Sequence, residues 1–346
     1  MDVVTLALPP SLRSKLLATG FCTTTALVSV APFQLAREAS ITLEEALAVL
    51  SLVPRTCSDH TGGPVAGSTT AWDLLMKNER GRIETGSVEV DKILGGGILS
   101  KELTEICGVP GVGKTQLSMQ LAVNVQIPVK FGGVGGHAIY IDTEGSFMME
   151  RVLQITEAVI DSLRIKSPGF SAAPLTAEDF LSHMYLLRVH DPLEQLAAVN
   201  NLPTLLDQHK EVKLIVFDSI TFNFRQDFEN MRERTRLLAS MAQKLMAVAE
   251  IYDVAIVLVN QVTHKVTSEG FRTVPALGES WSHVCTNRLM VYWMDGQRYA
   301  HLAKSPSLPV GTAPYVITEE GVRDAHESHK RIKLDDAQVR SSRSLG

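Results

Sequence analysis

The chain has 346 residues, of which 45% are hydrophobic and 21% charged, with a formal net charge of −5. This length provides material for about two domains and at least one large buried core. The acidic balance excludes a protein that attracts nucleic acid through its overall charge, so any such contact must come from a local basic patch.

Residues 1–55 show the periodicity of short helices and predict a small helical domain. Ser11 is the expected N-cap of the first helix, and Gly20 follows its predicted end. A second helix is predicted over Thr25–Val30, ending near Pro32. Thr42 is expected to begin a third helix.

Residues 56–84 are predicted to be a linker with a short docking helix, because residues 56–70 are rich in glycine, serine, threonine and proline. From residue 85 to about residue 323, apolar runs of strand length alternate with helical patterns. The predicted strands are Leu103–Cys107, Ala138–Ile141, Met184–Val189, Leu214–Phe217 and Ala255–Val259. The predicted helices are Gln116–Val125, Met148–Leu163, Leu193–Leu206 and Arg232–Ile251. This alternation predicts an α/β fold with a mainly parallel sheet covered by helices on both faces.

Short strand-like pieces joined by short turns follow and predict an antiparallel extension of the sheet. They span Arg288–Met294, Arg298–Lys304 and Tyr315–Thr318. Residues 324–346 are polar and charged, and are expected to form a disordered tail.

The cysteines, Cys22, Cys57, Cys107 and Cys285, are scattered without CxxC spacing. This usage favours reduced thiols in an intracellular compartment over a disulfide framework or a zinc site. The N-terminal segment lacks the cationic region of a signal peptide. The longest apolar runs are about one strand long, too short for a membrane span, so we expect no membrane contact.

The strongest motif is GVPGVGKT, which fits G-x-x-x-x-G-K-[ST] between a predicted strand and a predicted helix. Its glycines allow backbone N–H groups to surround a phosphate, and the following helix adds its positive end. Lys114 is expected to reach the β- and γ-phosphates of ATP, and Thr115 to hold Mg²⁺. The alternative is a tight turn with a surface lysine. The predicted nucleotide contacts are Gly108, Val109, Pro110, Gly111, Val112, Gly113, Lys114, Thr115 and Gln116.

Polar residues also follow other predicted strands, at the edge of a parallel sheet where ligands bind. Asp218 is the expected carboxylate beside Mg²⁺. Glu144 is expected to orient and deprotonate the attacking water, and Gln261 to sense the γ-phosphate. The alternatives are an ordinary helix N-terminal glutamate and ordinary strand ends.

Two segments, Thr221–Arg236 and Val262–Ala276, are predicted to be solvent-facing loops in which basic residues accompany aromatic ones. Such pairs suit phosphate contact and base stacking. Acidic residues dilute the first segment, and ordinary helix surface is the alternative there. The candidate DNA contacts are Arg225, Arg232, Arg234, His264, Lys265 and Arg272.

With these residues assigned, residues 85–323 resemble the core of the RecA/Rad-type recombinase family. The matching runs are TGSVEVDKILGGGI (Thr85–Ile98), IDTEGSF (Ile141–Phe147) and LVNQV (Leu258–Val262). The N-terminal residues are similar to the small helical domain of the family. The runs TEICGVPGVGKTQLSMQLAV and PALGESW are most similar to the eukaryotic paralogue C group within it.

The resemblance implies a DNA-dependent ATPase subunit that uses ATP and Mg²⁺ in homologous-recombination repair. The implied partners are recombinase paralogues of the B, D and X-ray-cross-complementing types, and single-stranded or branched DNA. The implied location is the nucleus, and Lys330, Arg331 and Lys333 would suit an import signal. The alternatives are a scaffold subunit in which ATP only joins paralogues, and a ring helicase, against which the N-terminal helical domain argues.

Departures from the recombinase pattern concern subunit interfaces. Ser68 stands where the recombinase has a docking phenylalanine, ahead of Ala71. Loss of an aromatic anchor disfavours self-polymerisation by that route. Lys304 stands where the recombinase has an acidic residue that caps the ATP of its neighbour, so we expect Lys304 to meet the neighbour's phosphates.

Overall fold

The structure is a computed structural model that describes residues 3–325 except 7, 29, 53–80, 167–174, 227–230, 268–269, 278–280 and 282. The chain forms two compact units, Met1–Glu79 and Arg80–Gly346. Most of the predicted linker, with Ser68 and Ala71, lies outside the described residues, and so do residues 326–346 of the predicted tail with its basic cluster. The tail was predicted to begin at residue 324, but Asp324 ends a strand and its carboxylate accepts hydrogen bonds from Ser87 and Glu89.

The first unit consists of short helices. They are α1 Pro10–Ala18, α2 Thr24–Val28, α3 Pro32–Glu38 and α4 Leu43–Leu52, after a 3-10 turn at Val3–Thr5. Their apolar side chains, among them Leu16, Leu27 and Leu35, form one buried core.

The start of two helices in this unit differs from the prediction. The sequence placed Pro32 at the end of a helix, but it is the first residue of α3, which was not predicted. Likewise α1 begins at Pro10, and Ser11 lies inside the helix instead of capping it. Proline is tolerated in a first helical turn because its missing N–H needs no partner within the helix.

Thr42 precedes α4 as predicted and caps it. Its hydroxyl accepts a hydrogen bond from the N–H of Glu45 at 3.2 Å, and the Glu45 carboxylate accepts one from the N–H of Thr42 at 2.8 Å. This reciprocal capping box satisfies two N–H groups that the helix leaves without partners.

The second unit is built on a ten-stranded sheet with strand order β12-β11-β10-β9-β3-β7-β6-β4-β5, in which β8 pairs with β7. The strands begin with the separate pair β1 Arg82–Ile83 and β2 Ile98–Leu99, then β3 Leu103–Gly108, β4 His137–Asp142, β5 Met184–Arg188, β6 Val212–Asp218, β7 Ala255–Thr267, β8 Gly270–Pro275, β9 Asn287–Met294, β10 Gln297–Lys304, β11 Gly311–Thr318 and β12 Gly321–Asp324. The helices are α5 Val88–Ile93, α6 Lys114–Asn124, α7 Met149–Lys166, α8 Ala177–Ser182, α9 Pro192–Gln208, α10 Phe222–Gln226 and α11 Met231–Tyr252, with a 3-10 turn at Val129–Phe131.

The half of the sheet from β9 to β5 is parallel. One core cluster lies on the face covered by α6 and α7, and the other lies on the face covered by α9 and α11. Neighbouring β4 residues Ile139 and Tyr140 belong to different clusters, since successive strand residues face opposite sides. The predicted α/β fold class is therefore confirmed.

Strands β9 to β12 pair antiparallel and extend the sheet. Among the described helices, none has both the length and the apolar composition needed to cross a bilayer.

Both segments predicted as loops contain regular structure. Val262–Ala276 forms most of an antiparallel hairpin, in which Val262 pairs with Pro275 and Lys265 with Arg272. Valine and threonine recur through this segment and favour the pleated conformation. Thr221–Arg236 contains α10 and the first residues of α11. The prediction of a loop was therefore wrong for Val262–Ala276 and for Phe222–Gln226, where strand and helix propensity outweigh the basic and aromatic composition, whereas the helix predicted from Arg232 is confirmed.

Candidate nucleotide-binding site

The loop between β3 and α6 has a backbone that requires glycine. Gly111 and Gly113 have φ values of +77° and +106°, in the left-handed region that other residues rarely adopt. A Cβ on Gly108 would overlap the carbonyl oxygen of Val291 on β9. The loop leads directly into the N-terminus of α6, an arrangement that attracts phosphate through its N–H groups and the helix dipole.

Lys114 is the first residue of α6, and its ammonium is turned back over the loop. The nitrogen Nζ donates to the carbonyl oxygens of Gly108 at 2.9 Å and Val109 at 3.0 Å, and to Oε1 of Gln261 at 3.2 Å. Burial lowers the pKa of Lys114, and the carboxylates of Glu144 and Asp218 partly offset this effect. The ammonium is therefore held where the loop can receive an anion.

Asp218 ends β6 and is almost completely buried. It accepts a hydrogen bond from the Tyr140 hydroxyl at 2.7 Å, and the Thr115 side chain also favours its ionised form. Burial raises its pKa to about 6, against the lowering effect of these two side chains. A carboxylate and a hydroxyl are oxygen ligands of the kind that Mg²⁺ accepts, and a cation would offset the cost of the buried charge. Thr115 and Asp218 therefore fit the predicted metal.

Glu144 follows β4 and lies against the end of β6. Its Oε1 accepts a hydrogen bond from the Ser219 hydroxyl at 2.5 Å and lies 3.5 Å from Nε2 of Gln261. The hydroxyl of Thr143 both donates to the carbonyl of Ser219 and accepts from its N–H, each at 2.8 Å. The structure thus brings the predicted Glu144, Gln261 and Lys114 together around one opening. Ser219 was not predicted, because a single serine after a strand has no distinctive sequence pattern.

Arg151 was also missed. Its Nε donates to Oε1 of Gln116 at 2.7 Å, and its other nitrogens donate to the carbonyls of Thr318 at 2.5 Å and Glu319 at 2.6 Å. The side chain therefore ties α7 to the predicted nucleotide contact Gln116 and to the end of β11. The partners are distant in sequence, so no local pattern could have identified them.

The outer side of the loop is held by the antiparallel strands. The carbonyl oxygen of Val112 accepts from Nε of Arg298 and from the hydroxyl of Tyr315, each at 3.1 Å. The Arg298 guanidinium stacks 4.1 Å above the centre of the Trp293 ring. These contacts hold the Val112 carbonyl against the antiparallel strands.

The candidate DNA contacts lie in two parts of the fold, the helices α10 and α11 and the hairpin formed by β7 and β8. Arg232 is exposed on α11, whereas Arg234 is half-buried and its Nε donates to the carbonyl of Phe224 at 2.8 Å. Arg225 lies in α10, and His264, Lys265 and Arg272 lie in the β7–β8 hairpin; the structure describes the backbone of these residues. The backbone register places Lys265 opposite Arg272.

Lys304, predicted to meet a neighbour's phosphates, is bonded within its own chain. Its Nζ donates to the carbonyl of Cys285 at 2.6 Å and lies 3.5 Å from the carbonyl of His283. These two carbonyls hold the Lys304 ammonium against the segment before β9 of its own chain.

The sequence is similar to a known protein family and to known proteins. The Rad51 family model matches residues 77–325. The chain is 45% identical over 337 residues to "DNA repair protein RAD51 homolog 3" of Cricetulus griseus, a match covering 94% of this chain and 92% of that protein. It is 44% identical over 268 residues to the protein of the same name in Dictyostelium discoideum, covering 75% of this chain and 70% of that protein. These matches confirm the resemblance to the recombinase family and to its paralogue C group.

Proposed function

Because the chain belongs to the Rad51 family, we propose that it is a DNA-dependent ATPase subunit of a recombinase-paralogue complex in homologous-recombination repair. The observation that carries the proposal is the convergence of Lys114, Gln261 and Glu144 beside Thr115 and the buried Asp218. These side chains come from the ends of parallel strands and from the helix after β3. Together they provide a cation for the phosphates, oxygen ligands for Mg²⁺ and a base for water, which are the groups that phosphoryl transfer requires.

In the proposed reaction, the N–H groups of residues 108–116 and the Lys114 ammonium bind the phosphates of ATP. Thr115 and Asp218 hold Mg²⁺, which supplies positive charge to the phosphate oxygens when bound. Glu144 orients a water molecule and accepts its proton as the water attacks the γ-phosphate, while the bond from the γ-phosphorus to the bridging oxygen breaks and ADP leaves with that oxygen. Gln261 contacts both Lys114 and Glu144, so it is suited to respond to the presence of the γ-phosphate.

The proposed DNA contacts lie on α10, α11 and the hairpin that continues from Gln261. They are Arg225, Arg232, Arg234, His264, Lys265 and Arg272. The Nε of Arg234 bonds the Phe224 carbonyl, so a DNA contact by this side chain would involve its other guanidinium nitrogens. The proposed ligand is single-stranded or branched DNA.

The proposed protein partners are paralogues of the B, D and X-ray-cross-complementing types, with the nucleus as the site of action. Ala71 in the linker and Lys304 on β10 are the proposed interface residues. The support for this assignment is similarity to proteins named for DNA repair.

A second candidate is a subunit that binds ATP as a structural link between paralogues and does not hydrolyse it. The short hydrogen bond from Ser219 to Glu144 favours this candidate, because it occupies one oxygen of the proposed base. Glu144→Gln separates the two. Turnover and repair in cells would both be lost under the first proposal, whereas repair would survive under the second.

The decisive experiment is ATP turnover by the full chain with its co-purified paralogues, with and without single-stranded DNA. Lys114→Ala is the control for contaminating ATPases. Stimulated turnover that disappears in Lys114→Ala would support the ATPase proposal. Tight ATP binding with no turnover under either condition would overturn it in favour of the structural link.

A further inference from the structure

A buried carboxylate lies beneath the nucleotide site. Glu105, in the middle of β3, has 0% of its surface exposed. Its Oε1 accepts hydrogen bonds from Nδ2 of Asn260 at 2.6 Å and from Nε1 of Trp281 at 2.9 Å. Its Oε2 accepts from Nε of Arg288 at 2.5 Å. Asn260 and Trp281 are themselves 0% and 2% exposed.

Such a cluster is sensitive to small movements. A buried carboxylate is costly unless a cation and several donors satisfy it, and here Arg288 provides the cation. Asn260 and Trp281 bond to the same oxygen, so a shift of one donor changes the position available to the other. Side-chain networks in a low-dielectric interior are coupled in this way.

The two donors on that oxygen belong to different parts of the molecule. Asn260 immediately precedes Gln261 on β7, and Gln261 contacts Lys114 and Glu144. Trp281 follows the β7–β8 hairpin, which begins its return at Gly270 and ends at Pro275. The hairpin is also fixed at its base, where the N–H of Ala276 donates to the carbonyl of Gln261 at 2.9 Å.

We propose that Trp281 is a positioning residue that couples the hairpin to the nucleotide site through Glu105 and Asn260. This inference rests on the proposed function, in which the hairpin contacts DNA and the loop before Lys114 binds ATP. A displacement of Trp281 when the hairpin binds DNA changes the Trp281–Glu105 bond. Asn260 responds at the shared oxygen, and the adjacent Gln261 transmits the change to Lys114 and Glu144.

Coupling of this kind must act in both directions. If DNA raises the affinity for ATP by some factor, ATP raises the affinity for DNA by the same factor. We call the series Trp281, Glu105, Asn260 and Gln261 the relay. It predicts that one substitution in the series reduces, by the same amount, the effect of DNA on ATP affinity and the effect of ATP on DNA affinity. A residue with a merely structural role would instead weaken each ligand alone and leave the coupling factor unchanged.

Trp281→Phe tests the relay because phenylalanine keeps most of the buried volume and lacks the indole N–H. In the full chain with its partners, the affinity for a fluorescent ATP analogue is measured with and without single-stranded DNA, and the affinity for DNA with and without ATP. We expect each ligand alone to bind within about twofold of wild type, since the removed bond touches neither, while the coupling factor falls towards one. Tyr185→Phe is the control, because it removes a hydrogen-bonding group from an aromatic ring on β5, the edge strand of the sheet, away from the phosphate loop.

A second measurement keeps Trp281 and its bond to Glu105 in place. With Trp72 and Trp293 replaced by phenylalanine, Trp281 is the remaining tryptophan of the three in the chain. We expect its emission to change when ATP is added and again when DNA is added, because its indole N–H bonds to Glu105.

The outcomes separate the relay from the function on which it rests. A lower coupling factor in Trp281→Phe together with a ligand-dependent emission supports the relay. Normal binding of both ligands, with an unchanged coupling factor and a constant emission, overturns the relay and leaves the proposed function standing. Failure of the wild-type complex to bind either ATP or DNA overturns both.

Discussion

The ammonium nitrogen of Lys114 lies 3.2 Å from the side-chain oxygen of Gln261. Strands β3 and β7 bring the two residues together, since they pair in parallel with Gly108 opposite Gln261. The nitrogen of the same amide lies 3.5 Å from Glu144. One side chain thus contacts the proposed phosphate-binding group and the proposed general base, so its removal should affect both.

Gln261→Leu keeps the size of the side chain and removes both contacts. We expect ATP turnover to fall about tenfold to a hundredfold, the effect of losing a hydrogen bond to a charged group. ATP affinity should fall less, because the loop N–H groups and Lys114 remain. Steady-state turnover and a nucleotide titration measure the two effects. Gln208→Leu, at an exposed position near the end of α9, is the control; equal losses in both variants would contradict the role given to Gln261.

Asp218→Asn should stabilise the ligand-free protein near neutral pH. Burial raises the pKa of Asp218 from 3.8 to about 6, so the folded state binds more protons than the unfolded state between those values. The unfolding free energy therefore falls as pH rises through this window, and the loss above pH 6 reaches up to about 3 kcal/mol. Asparagine keeps an oxygen for Tyr140 and carries no charge, so it avoids this loss.

Thermal unfolding at pH 7.5 and pH 4 measures the effect. Without nucleotide, Asp218→Asn should melt above wild type at pH 7.5, and the difference should shrink at pH 4. With Mg²⁺ and ATP the order should reverse, because the substituted site lacks its metal carboxylate. A variant that melts below wild type under every condition would show that the carboxylate contributes stability without a metal.

Tyr315→Phe removes one of the hydrogen bonds that hold the Val112 carbonyl. A single such bond contributes about 1 kcal/mol, so we expect ATP affinity to fall by about three- to tenfold. Tyr299→Phe, on the neighbouring strand, is the matched control. Nucleotide titration of the wild type and the two variants compares their ATP affinities. A loss in Tyr315→Phe alone indicates support of the loop, whereas a loss in both variants indicates a general effect of losing a hydroxyl. Identical affinities in all three would remove Tyr315 from the site.

Arg232→Ala should reduce the salt dependence of binding to single-stranded DNA. Each phosphate contact contributes about 0.7 to the slope of log affinity against log salt concentration, so the slope should decrease by about that amount. Fluorescence anisotropy at several salt concentrations gives the slope. Arg164→Ala, which removes a surface partner of Asp161 on α7, is the control. An unchanged slope for Arg232→Ala would exclude a phosphate contact there.

The strands of the parallel half and the phosphate loop were predictable because their signals are local. A continuous apolar run ending in Asp218, or glycines at fixed spacing before Lys114, can be interpreted without knowing the rest of the fold. The same holds for Thr42, whose cap partner Glu45 lies in the next turn.

Contacts between distant parts of the chain were not predictable in this way. Glu105 lies in an apolar strand, and its partners follow it by 155 to 183 residues. Arg151 and Ser219 gain their importance from similarly remote partners. The hairpin after Gln261 was missed for another reason, since its charged residues resemble those of a loop.

The support of Val112 by Arg298 and Tyr315 has a consequence for synthesis of the chain. The bonded residues are separated by 186 and 203 positions. A ribosome therefore completes the phosphate loop long before it makes the strands that hold the outer side of that loop. A premature stop codon between Thr115 and Arg298 leaves the motif GVPGVGKT intact but removes both of these supporting side chains. Detecting the motif in a shortened transcript is therefore no evidence of a competent nucleotide site.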